Sequence, residues 1–147
     1  MRLTSKTDYG LRALIDLALH DSGLPVQSHD IATRQGIPES YLNQLLILLR
    51  RAGLIRSLRG PQGGHHLARA PHAISMADIV TALDGPSASE SAGPSSDARG
   101  SDAATDQVVR AAWKQVNAAI ADALGHITLD ALVEQRQRHD NTAMFQI

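Results

Sequence analysis

The chain has 147 residues, 43% apolar and 20% charged with a formal net charge of −1, enough for one ordinary domain or a small domain with an arm. It contains no cysteine, which excludes disulfides, thiolate-ligated zinc or iron–sulfur centres and a cysteine nucleophile, and its few aromatic rings (3%) leave little stacking surface for single-stranded nucleic acid. No apolar run approaches the roughly 18 residues needed to span a bilayer, so a soluble, cytoplasmic protein without membrane contact is expected.

The first helix is expected over about residues 6–20, with Leu11, Leu14, Ile15 and Ala18 as one apolar stripe. Ser5 and Asp8 have the spacing of a capping box at its start, and Asp-Ser-Gly-Leu-Pro (21–25) supplies the turn that ends it. A short helix follows from Ser28, read as its N-cap, to Gln35, where Gly36 can close it. Pro38 suits the first turn of a third helix that runs to about Ala52, with Leu42, Leu45, Leu46 and Leu49 facing inward and Gly53 placed for a left-handed cap. Two short helices joined by a tight turn form a helix-turn-helix pattern. The outward side of the second presents Ser40, Tyr41, Asn43 and Gln44, groups able to reach base edges and phosphates.

Residues 54–69 read as two short strands around Arg59-Gly60-Pro61-Gln62-Gly63-Gly64, a wing whose glycines allow close approach to a phosphate ridge. Arg59 at its base can enter a minor groove. The same loop joins strand to strand and lacks the following Lys-Ser/Thr of a nucleotide-binding P-loop. His65 and His66 are adjacent on a strand and point to opposite faces; one is expected toward DNA and the other toward the protein, not both onto a metal. A fourth helix starts at Ser75 with a Ser75/Asp78 capping box and buries Met76, Ile79, Val80 and Leu83. Residues 85–106 hold eleven Gly, Pro or Ser and no large apolar side chain, the composition of a flexible, disordered linker. Beyond it, Val109, Ala112, Trp113, Val116, Ile120 and Leu124 form the stripe of a long helix that needs a second surface to cover it. A short helix over about 128–136 and a frayed tail over 139–147 complete the chain.

The charges are unevenly placed. Residues 1–84 carry nine Lys/Arg against seven Asp/Glu, whereas residues 85–147 carry five against eight. From Ser40 to Ala77 there is no carboxylate, and the five cations in that interval (Arg50, Arg51, Arg56, Arg59 and Arg69) are all arginine, the side chain that forks onto phosphate and guanine. No nucleophile elbow and no HExxH pattern supports an enzyme.

The segments LTSKTDYGLRALIDLALH, IATRQGIPESYLNQLLILLRRAGLIRSLRGPQGGHHLAR and ISMADIVTALDG closely resemble the Rrf2 family of bacterial repressors (the IscR, NsrR and CymR type), as do the Trp113 helix and the ITLDAL stretch at 127–132. The resemblance implies a mainly α protein: a winged helix-turn-helix domain over 1–84 and a long carboxy-terminal dimerisation helix over 107–138 with the short helix after it. It implies a homodimer on palindromic double-stranded DNA, repressing transcription. Base-reading contacts fall to Ser40, Tyr41 and Gln44, wing contacts to Arg59, Gly60, Pro61, Gly63, Gly64 and His65, and backbone contacts to Arg50 and Arg51. Lys6, Tyr9 and Ser28 on the first two helices complete the candidate DNA-binding set, and Val109, Trp113, Val116, Ile120 and Leu124 the dimerisation set.

Two departures from the family stand out. Its recognition helix commonly carries Glu where this chain has Asn43, which favours adenine and so a different operator. Many members hold an iron–sulfur cluster on three cysteines before the Trp helix, and one nitric-oxide-sensing branch adds an aspartate at the position of Asp8. With no cysteine here, no cluster and no other cofactor is expected, and Asp8 is read as a cap. Two other readings of the signal stay open: a winged-helix interaction module regulated through a partner enzyme, and direct sensing of a small ligand between the winged helix and the carboxy-terminal helix.

Overall fold

The structure, a computed structural model, describes residues 4–85, 100 and 102–145. Its first helix, α1 (Ser5–Leu19), is capped by Thr4, whose side-chain oxygen accepts the Thr7 N–H at 3.3 Å. The Thr4 hydroxyl also donates to the Asp84 carboxylate at 2.8 Å. That long-range contact fixes Thr4 as the cap, so the Ser5/Asp8 capping box does not form and Asp8 pairs instead with Arg12 at 3.1 Å. Burial falls on Thr7, Gly10, Ala13, Leu14 and Leu17, a face turned slightly from the expected stripe. Leu11, Ile15 and Ala18 pack half-buried along its flank. At Gly10 a Cβ would stand 2.3 Å from a methyl of Leu83, so a side chain there would displace the buried Leu83 side chain packed against α1.

Asp16, on the same inward face, is a carboxylate only 1% exposed. It is satisfied from the second helix, α2 (Ser28–Gln35): Arg34 donates to both carboxylate oxygens at 2.8 and 2.9 Å and the Gln35 amide donates at 2.9 Å. The bidentate bond from Asp16 holds the Arg34 guanidinium above its ordinary pKa. Ser28 is the first helical residue and not the cap; Gln27 precedes it without a side-chain cap bond. Gly36, at φ +64° in the left-handed region, ends α2 as expected and turns the chain into α3 (Glu39–Arg51). Leu42, Leu45, Leu46 and Leu49 are buried, each stabilising by about 1.5–3 kcal/mol relative to exposure.

Strands β1 (Ile55–Leu58) and β2 (Gly64–Leu67) pair antiparallel from Ile55 opposite Leu67 to Leu58 opposite Gly64, forming the wing. Val26 clips onto β2 through two backbone hydrogen bonds with His65. After a 3-10 turn at Pro71–Ala73, α4 (Met76–Asp84) begins with the expected capping box: the Asp78 N–H donates to Ser75 Oγ at 3.1 Å and the Ser75 N–H to Asp78 at 3.0 Å. It buries Ile79, Val80 and Leu83, while Met76 is only half-buried.

Helix α5 (Ala103–His126) begins inside the segment read as linker, because Asp102 caps it through the Thr105 N–H and alanines propagate it. The remainder of that expected linker, residues 86–99 and 101, lies outside the described residues. Helix α6 (Leu129–Phe145) runs well past the expected end near 136, and residues 139–145 are helical where fraying was expected. Arg138–Glu134 (3.4 Å) and Arg136–Asp140 ion pairs at i, i+4 support the extension. The carboxy-terminal helices join the first unit where the Met76 N–H donates to Ile127 O and the Leu129 N–H to Ile74 O, both at 2.8 Å, over buried Leu124 and Leu129, and Val133 of α6 packs against the same core. Among the described residues no helix is long and apolar enough to cross a membrane.

Replacing Arg34 with Ala leaves the buried Asp16 carboxylate with only its weaker partners. Arg34→Ala should lower unfolding free energy by about 2–3 kcal/mol in urea titration. A loss below about 0.5 kcal/mol would show that the pair does not hold α1 to α2.

Candidate nucleic-acid interface

The outward side of α3 presents a row at i, i+3, i+4 and i+7: Ser40, Asn43, Gln44 and Ile47, all exposed. Tyr41 is not part of that row. It is half-buried against the core, and its ring meets Tyr9 of α1 edge-on, with centroids 5.7 Å apart and planes at 80°. Neither phenol hydroxyl has a hydrogen-bond partner among the described residues, so both can donate outward while the rings fix α1 against the start of α3. Lys6 lies exposed on the first turn of α1.

An open groove separates the wing from the amino-terminal ends of α2 and α3. Ser28, Glu39, Gly60, Pro61, Gly64 and His65 line it, so the wing candidates and Ser28 converge on one cleft. His29 and Glu39 bridge the two helix starts across it at 3.2 Å. The wing glycines divide by role. Gly60 has open space around its α-carbon, whereas a Cβ at Gly63 would stand 2.2 Å from Leu58 O. Gly63 is buried and has no room for a side chain where the loop closes on itself, and it lines the same cleft as Gly60 and Gly64.

His65 sits on the inward face of the wing, its Nδ1 2.9 Å from Ser57 Oγ. Burial, then the nearby positive charge of Arg50, pushes its pKa below the ordinary 6.5. Both effects favour the neutral ring, which shares one hydrogen bond with the Ser57 hydroxyl. His66 lies on the opposite face, 3.9 Å from Asp21 and mostly buried, so the two imidazoles diverge as expected of neighbours on a strand. Arg50 and Arg51 also part company: Arg50 stands by the wing base, and Arg51 lines a groove against α4 with Arg69. Arg69 is paired with Asp78 at 3.5 Å, so it leaves the cationic set. Arg50, Arg51, Arg56 and Arg59 are exposed and form no ion pair among the described residues.

On α5, Leu124 is buried and Ile120 half-buried at the anchored end, while Trp113 is 39% exposed and Val109 and Val116 also stand uncovered. Trp113 is not a core residue of the single chain. Ile47 is not legible as part of this row from polarity; the signal in the sequence is its spacing from Ser40 and Gln44, off the leucine stripe.

Two helices crossing through a left-handed glycine turn, followed by an antiparallel wing and flanked by unpaired arginines, define a winged helix-turn-helix protein. The profile of the Rrf2 family, described as an iron-dependent transcriptional regulator, matches residues 3–135. The HTH-type transcriptional regulator IscR of Vibrio cholerae is 40% identical over 133 residues, covering 90% of this chain and 75% of that protein. IscR of Erwinia tasmaniensis is 39% identical, covering 93% and 81%. Among solved structures, CymR, the global cysteine regulator of B. subtilis, superposes with a TM-score of 0.73 at 31% identity, covering 92% of this chain and 98% of that one. IscR of T. potens superposes with a TM-score of 0.71 at 36% identity, over 92% and 88%. The chain belongs to the Rrf2 family, and it is a DNA-binding transcriptional regulator, not an enzyme.

The residues present do not fit a thiolate-held iron site. The sequence has no cysteine, and among the described residues no three His, Asp or Glu side chains are grouped to hold a metal ion. Asp8 is engaged with Arg12.

The depressed His65 pKa has a sign. Its neutral form is favoured by the fold, so the stability it contributes is complete above 6.5 and is lost as pH falls through the lower folded value. An NMR titration should place the His65 midpoint below 6.5; a midpoint at or above that value would contradict the buried, Arg50-facing position.

Proposed function

We propose that the protein is a homodimeric repressor that reads a palindromic operator in double-stranded DNA and works without an iron–sulfur cluster. The observation that carries this reading is the set of four exposed arginines (Arg50, Arg51, Arg56 and Arg59) around α3 and the wing that form no ion pair among the described residues. Arginines kept free of carboxylates next to an exposed polar helix face are suited to phosphate. In this reading α3 enters a major groove and Ser40, Asn43 and Gln44 meet base edges, with Tyr9, Tyr41, Lys6 and Ser28 on the flanking backbone. Arg59 at the wing reaches the neighbouring minor groove.

The uncovered stripe of α5 supports the dimer. Val109, Trp113 and Val116 stand exposed on a helix whose buried apolar residue, Leu124, lies near its carboxy-terminal end, and a second copy offers a matching apolar face. Two such helices packed across a two-fold axis present two α3 helices to one duplex, and a dimer seated over a promoter blocks polymerase. The missing thiolates support a signal that does not pass through a cluster.

Arg59→Ala should weaken specific binding by about 1–3 kcal/mol in fluorescence anisotropy at fixed salt. With about eight phosphates neutralised per dimer, log K should fall against log[salt] with a slope near −7. An unchanged affinity for Arg59→Ala, or a flat salt dependence, would overturn the reading.

A further inference from the structure

Ile47 is the one large apolar side chain on the outward face of α3, 40% exposed between polar and cationic neighbours. The inward face is complete without it, since Leu42, Leu45, Leu46 and Leu49 fill the core. At one hundred degrees per residue, Ile47 falls between Ser40 and Asn43 around the helix axis, and Gln44 lies just beyond Ser40. Helical side chains lean toward the amino terminus, so the Ile47 side chain lies over the turn that holds Asn43 and Gln44. It therefore belongs to the reading surface and not to the backbone-gripping end of the helix. Ile47 carries no side-chain hydrogen-bonding group and can make no hydrogen bond to phosphate. Its β-branch leaves few rotamers to lose on binding.

We infer that Ile47 is a specificity-determining residue that packs on the C5-methyl group of a thymine in each half-site of the operator. In the major groove the thymine methyl is the apolar feature a side chain can read, while the other distinguishing groups are donors and acceptors. Arg50 and Arg59 on the wing side of α3, without an ion pair among the described residues, point to DNA as the occupant, since a protein partner seated there would have to bring its own carboxylates. The inference rests on the operator-reading proposal above and adds to it a contact that selects by shape instead of by hydrogen bonding. With Asn43 favouring adenine one turn earlier, it gives the half-site an A·T-rich reading at adjacent steps.

The experiment starts from an operator enriched by the wild-type protein out of random duplexes. Each thymine of one half-site is replaced in turn by deoxyuridine, which removes the methyl group and leaves every hydrogen-bonding group in place. One such replacement should weaken wild-type binding about fourfold, the effect of losing one buried methyl contact. Ile47→Ala, whose fold is checked by circular dichroism and melting, should bind the thymine and uracil duplexes equally, and Ile47→Val should keep part of the preference. Equal wild-type affinity for every uracil duplex, or a thymine preference that survives Ile47→Ala, would overturn the inference while leaving operator reading intact. Loss of all binding by a folded Ile47→Ala to both duplexes would also overturn it, by showing a role other than methyl recognition. Failure to enrich any operator would overturn the underlying proposal instead.

Discussion

Asp16 enters the core with a charge, and the arrangement of the first three helices follows from how that charge is satisfied. A carboxylate 1% exposed needs its hydrogen bonds from inside the protein, and Arg34 and Gln35 supply them from the last turn of α2. The two ends of this contact are 18 residues apart in sequence. Together they fix the angle of α2 on α1, and Gly36 then turns the chain directly into α3. The direction of the reading helix is thus set by a buried ion pair and one left-handed residue. Such a pair adds little net stability compared with an apolar substitute, but it accepts only one geometry. The Tyr9–Tyr41 contact braces the same arrangement two turns nearer the start of α1.

The carboxy-terminal half follows a different logic. Its two helices are joined to the winged-helix unit by backbone bonds at Ile74–Met76 and Ile127–Leu129, a short seam over Leu124 and Leu129. From that seam α5 runs outward with its apolar stripe uncovered through Trp113 to Val109. A single chain therefore has a reader whose surface is complete and an arm whose surface is not. The proposed dimer resolves both facts with one contact, because covering the arm duplicates the reader.

What could be read from the sequence was mostly local. The αL residue at Gly36, the Ser75/Asp78 capping box, the leucine face of α3 and the glycine-rich wing depend on residues within a few positions of each other, and each occurs where its pattern predicts. Features set from far away were not legible. Thr4 displaced Ser5 as a cap because Asp84, 80 residues on, pins it. The burial of Asp16 depends on Arg34, 18 residues on, and no local pattern marks it. The length of α6 escaped because its apolar periodicity stops while its i, i+4 ion pairs continue. For the interface, the cationic interval was visible in the sequence, but its partition was not: Arg69 turns to Asp78, Gly63 turns inward, and Ile47 turns out.

The near-neutral charge of the chain conceals a carboxylate-free stretch, and the chain has no cysteine although the family's description names iron. The central claim is that two copies of this reader act on one duplex through a two-fold axis. Enrichment of random double-stranded DNA on the purified protein, followed by sequencing, tests it most directly. The account predicts an inverted repeat whose half-sites lie on one face of the duplex, about one helical turn or a multiple apart. A single asymmetric half-site, or a pool that never acquires a motif, would contradict it.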